Sequence, residues 1–235
     1  MPFPVVEGLS TDFESTNVTA HSFTYPSGVA EDDLIVLLLS LNSNGGTLTW
    51  PTGYTVLDDQ NSGLSIRVGI AYRWADGTET GVDTVAGTLA TESASICARI
   101  SGVDRNINPQ ISTNVNVGSS GVLSINPPNL AASPATLKDY LWLAAFGSDS
   151  QEVVTGPSNM TGTFATVNGL DSADSTAAMD THSVRALSFD PTAFTWLSLE
   201  SAVCWTLCIH PVPSNIPLSK MTGNVVMTGN MNWVK

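Results

Sequence analysis

Charge is what this chain has least of. Asp, Glu, Lys and Arg make up 12% of its 235 residues, about half the share usual in soluble domains. Ser, Thr, Asn and Gly must therefore cover its surface. Bases are scarcest: eight Lys and Arg stand against 21 Asp and Glu, a net charge of -13. Phosphate backbones and anionic lipids are held by clustered cations, so nucleic-acid binding and membrane insertion are not expected. Cysteine is scarce too, with only Cys97, Cys204 and Cys208. Cys204 and Cys208, four apart on a strand, would lie ~13 Å from each other, too far to bridge. With no Cys-x-x-Cys pair, the expected state is three reduced, buried thiols.

Long hydrophobic runs and targeting signals are missing as well. The longest apolar run, Leu34 to Leu39 with Leu41, is far short of the ~20 residues a bilayer span needs. Met1 to Glu7 lacks a basic n-region and an apolar h-region, so export by the general pathway is not expected. No eleven-residue window carries a capped helical stripe; Ala131 to Leu137 has room for one helical turn, cut short by Pro134. Catalytic signatures are lacking: there is no Gly-x-Ser-x-Gly and no His-Glu-x-x-His, and His21, His182 and His210 have no nucleophile or metal context. The acids cluster in turns without the spaced Asp-x-Asp-x-Asp-Gly of a Ca²⁺ loop; Asp76, Glu79 and Asp83 are the least poor metal candidates. The expectation is a protein with no catalytic residues, no metal and no cofactor, and not an enzyme.

What is present is strand. Asn17 to Tyr25 alternates polar and apolar, and Leu34 to Leu39 is a short run typical of a strand covered on both faces. Tyr54 to Leu57, Leu64 to Trp74, Ala94 to Ile100, Tyr140 to Phe146 and Ala202 to Ile209 continue the pattern, with Gly-, Asn- and Pro-rich turns between them. This predicts an all-β, antiparallel β-sandwich or jelly roll.

The chain also echoes itself. Ser15-Thr16-Asn17-Val18 recurs as Ser112-Thr113-Asn114-Val115, Asp33-Leu34 lines up with Asp139-Tyr140, Pro51 with Pro157, and Ser95-Ile96-Cys97 with Ala202-Val203-Cys204. Collinear matches of this kind predict two diverged β-sandwich repeats, residues 1–106 and 107–212, followed by an extended arm, residues 213–235. In the arm Met221-Thr222-Gly223-Asn224 recurs as Met227-Thr228-Gly229-Asn230. Val225, Val226, Met227, Met231, Trp233 and Val234 make it too apolar to sit bare in water. They are the expected assembly residues, ordered only against another subunit or a particle partner.

Four further pieces carry a resemblance: Asp33 to Leu38; Trp50-Pro51-Thr52-Gly53-Tyr54-Thr55-Val56-Leu57; Ala71-Tyr72-Arg73-Trp74-Ala75-Asp76-Gly77; and Ile96 to Asp104, closing on Gly-Val-Asp. Together they resemble tandem-repeat β-sandwich structural proteins of tailed bacteriophages, of the fibre, decoration and adhesion type. The second unit matches less well, with Val154 near the place of the tryptophan. The resemblance implies a virion structural protein, assembled in the host cytoplasm, whose partners are other copies of itself and other virion proteins. The alternative is a carbohydrate-binding or host-recognition module taking a host-surface glycan. Trp50 and Tyr54 stand for both readings. Trp50, forced extended by Pro51, is either a packing anchor over the sandwich end or an aromatic platform for a sugar ring.

Overall fold

The computed structural model describes residues 3–43, 46–62, 66–116, 121–169 and 175–213. Among them there is no helix, and every sheet pairing is antiparallel. The first half carries β1 (Val5–Thr24), β2 (Glu31–Leu41), β3 (Leu48–Thr49), β4 (Thr55–Ser62), β5 (Ile66–Asp76) and β6 (Val82–Ser101). The second carries β7 (Gln110–Asn116), β8 (Val122–Ile125), β9 (Leu130–Ala131), β10 (Lys138–Ser148), β11 (Ala165–Asn168), β12 (Thr176–Ala186), β13 (Ser188–Phe189), β14 (Phe194–Glu200) and β15 (Ala202–Ile209).

Each half makes one main sheet. The orders are β1-β6-β2-β5-β4, with β3 added to β6, and β7-β15-β10-β12-β11. Numbered within its own half, each sheet runs first, last, second, fourth, third. The sheets stack face to face, with β1 against β11, β4 against β7 and β2 against β10. The first strand of each half thus lies over the third of the other, a pseudo-twofold arrangement of the isologous kind.

The largest core sits between the sheets. Leu34, Val36 and Leu38 of β2 meet Leu141, Leu143 and Ala145 of β10, joined by Ile96 and Trp205. The opposite faces are covered too. The later part of β1 and the earlier part of β6 pair with each other, Phe23 opposite Asp83 and His21 opposite Val85. Phe23 and Val85 join Ile35, Leu37 and Leu39 in an outer cluster. In the second half β8 and β14 pair in the same way, Ile125 opposite Phe194, and bring Phe194 and Trp196 onto Ala144 and Phe146. This explains the unbroken apolar runs: β2 and β10 are buried on both faces.

Three expectations from the sequence are corrected. Aligning Leu34 with Tyr140 puts opposite faces together, because Leu34 faces the shared core and Tyr140 an outer cluster. Since side chains alternate, a one-residue slip inverts every position. Pairing Ile96 with Val203 and Cys97 with Cys204 keeps the faces matched. Ser15 to Val18 lies in the irregular stretch of β1, between the register shifts at Glu14/Val18 and Val18/Ala20, whereas Ser112 to Val115 are paired in mid-strand with β15; that match is compositional. The stretch after Ala131 forms bends, not a helical turn.

Candidate functional site

The motif residues of the first half converge at one end of its sheet. Pro51 and Gly53 turn the chain, with Tyr54 N donating to Pro51 O at 3.2 Å and Gly53 at φ +92°. Trp50 lies over Gly69 of β5, where a Cβ would come within 2.6 Å of the indole Cζ2; the glycine leaves the space the ring fills. Tyr54 is held between Phe23, edge-on at 6.0 Å, and Trp50 at 6.4 Å, with the Arg73 guanidinium 5.7 Å from its ring centre. Both aromatics are half-buried against the outer cluster. Their faces are spent on protein neighbours, which favours the packing anchor over the sugar platform.

Arg73 leads to the acids. Glu79 is buried and bonds Arg73 Nη2 at 2.5 Å, while its two oxygens accept from the Asp76 and Gly77 N–H groups at 3.1 Å each. Asp83 accepts from the Tyr25 hydroxyl at 3.1 Å and from Thr84 N at 2.8 Å. Asp76 accepts from Thr78 N at 2.9 Å. The three proposed metal candidates are therefore committed to clasping the β5–β6 turn. Among the described residues no group of three His, Cys, Asp or Glu side chains is placed to hold a metal ion.

Two more clasps join the halves. Asp58, at a bulge in β4, accepts from the Trp205 indole N–H at 2.8 Å, the Thr113 hydroxyl at 2.5 Å and Gln60 Nε2 at 2.7 Å. Burial alone would raise its pKa, but these bonds outweigh it and hold the carboxyl below the usual range. The Gly102-Val103-Asp104 piece pairs with the exit of β15: Asp104 N donates to His210 O at 2.9 Å, and Val212 N to Gly102 O at 3.0 Å. Asp33 of the same motif set accepts from Arg99 Nε at 2.6 Å. The three cysteines are buried and free; burial pushes the Cys97 and Cys204 thiols up and takes Cys208 to about 12, a setting for inert thiols.

One surface stands apart, and sequence reasoning missed it. On β14, Phe194 and Trp196 point inward, while Leu197 and Leu199 are 86% and 63% exposed. Val153, 77% exposed, lies nearby, since Thr155 bridges Thr195. The earlier part of β6 alternates exposed Thr84 and Ala86 with buried Val85, but leaves Val82 and Leu89 exposed as well. A strand apolar on both faces reads as a buried strand, so the sequence carried no signal for this exposure. The proposed assembly residues Val225, Val226, Met227, Met231, Trp233 and Val234 lie outside the described residues. No protein-family model matches the chain, and neither does any curated protein or solved structure.

Proposed function

We propose that the chain is a structural protein of a tailed-phage virion, a fibre, tail or decoration component, and that it acts through protein–protein assembly. The observation that carries assembly is the bare leucine row of β14, with Leu197 and Leu199 exposed beside Val153 on a charge-poor body. A contiguous apolar patch in water favours association. Support also comes from the fate of the motif residues. Trp50, Tyr54, Arg73, Asp33 and Asp104 all hold turns, strands or the junction between halves. The phage setting rests on the likeness of those motifs to tandem-repeat phage β proteins.

Immunogold electron microscopy with an antibody against this chain, on tailed particles from cells carrying its gene, tests the reading. Gold at a fixed place on the particles is expected. Labelling confined to soluble lysate would overturn the virion assignment.

A further inference from the structure

The leucine row needs a partner of particular chemistry. Its apolar stripe, Leu197, Leu199 and Val153, runs directly into Glu200 at the end of β14; Asp149 accepts from the next residue, Ser201 N, at 3.1 Å, and Glu152, beside Val153, is buried beneath. These carboxylates interact: burial, and then the charges of Asp149 and Glu152, push the Glu200 pKa up. A matching ligand would be a segment rich in apolar residues that carries positive charge and no acidic side chain.

This chain contains one such segment. All 21 acids precede Ser214, whereas residues 214–235 carry Lys220 and Lys235 together with Val225, Val226, Met227, Met231, Trp233 and Val234. Its point of departure favours a second copy. Val212 is bonded to Gly102 and Pro211 bridges Val103, so the chain leaves on the side of the first half. β15 separates that exit from β14, and its eight residues span ~25 Å. Reaching β14 of the same molecule would require doubling back over an outer face already covered by β9 and β13.

We propose that residues 214–235 of one copy dock on the exposed face of β14 of a second copy, the valines and Trp233 against Leu197 and Leu199, the lysines against the partly exposed Glu200 and Asp149. The contact is heterologous, so it propagates from copy to copy or closes into a ring. It rests on the assembly reading above and names the surfaces that reading would use.

Disulfide trapping in the full chain tests it, and the buried native thiols provide a quiet background. One preparation carries Leu199→Cys, another Val226→Cys, and the two are mixed and oxidised. A mixed disulfide dimer is expected, in at least ~10-fold excess over that formed with the exposed control Thr84→Cys in place of Leu199→Cys. In parallel, Leu197→Asp with Leu199→Asp should lose the oligomer of the wild-type chain while keeping its melting curve. Equal trapping at positions 199 and 84 overturns the proposal. So does self-coupling of Leu199→Cys chains in preference to the mixed pair, which would mean that the face meets its own copy. An intramolecular bridge in the doubly substituted chain overturns it in favour of docking within one molecule. A wild-type oligomer unmoved by the two aspartates defeats this docking mode alone, whereas a wild-type chain that is monomeric throughout defeats the assembly reading itself.

Discussion

Trp50 and Asp58 show how single residues tie this protein together. Trp50 fills the space above Gly69 and braces Tyr54. Trp50→Ala should therefore cost about 3 kcal/mol, towards the low end for a tryptophan because part of the ring is exposed. Calorimetry checks this; an unchanged melting curve with loss of glycan binding on an array would instead mark Trp50 as a sugar platform. Asp58 joins β4 to β7 and to Trp205 across the sandwich. Asp58→Ala strands a buried indole N–H and should cost about 1–3 kcal/mol, with altered Trp fluorescence, while Asp58→Asn keeps an acceptor and should cost less. The carboxyl's folded pKa is depressed. Its contribution is therefore whole above the unfolded value, about 3.9, and is lost as pH falls through the lower folded value.

The folding-over of β1 and β6, and its counterpart in β8 and β14, is the structural device that buries both faces of each sheet. His21 sits on the returning part of β1, fully buried, with neither ring nitrogen hydrogen-bonded. His210, at the end of β15, is buried in the same state beside Tyr140 at 4.9 Å. Burial lowers both pKa values, against the opposing charge of Glu14 at His21; at His210 Lys138 adds to the lowering and Asp104 opposes it. A lowered folded pKa means stability is intact above the unfolded value of about 6.5 and declines as pH falls below it. The melting temperature should drop by at least ~3 °C between about pH 7 and pH 5, and His21→Gln with His210→Gln should flatten that slope. An equally steep slope in the double variant would locate the acid sensitivity elsewhere.

These elements also show what the sequence disclosed. β2, β10 and β15 were legible because their apolar runs are long, and β5 because its β-branched and aromatic residues recur along its length. The full lengths of β1 and β6 were not, since twenty polar-rich residues that bend in the middle match no simple period. The exposure of Leu197 and Leu199 was hidden for a related reason. An apolar residue on a strand names a face, but only the tertiary arrangement says whether that face is covered.

At the scale of the whole molecule, the halves are bound by a core that neither completes alone. Residues 1–106 expose Leu34, Val36 and Ile96 when separated from residues 107–212, which in turn expose Leu143, Trp205 and Ile209. Each fragment expressed alone should be poorly folded or aggregate, and co-expression should recover the native circular dichroism and a near-wild-type melt. Two independently stable fragments that ignore each other would refute the shared core. The pseudo-twofold stacking makes the chain resemble a self-paired dimer joined end to end. The exposed row on β14 gives the body a bare apolar face, and assembly through it is the central functional claim. Sedimentation velocity on the full chain, from about 1 to 100 µM across the usual range of specific association, tests it most directly. The account predicts species heavier than the 24.7 kDa chain that grow with concentration and are lost on substituting Leu197 and Leu199 with aspartate. A single 24.7 kDa species over the whole range would contradict it.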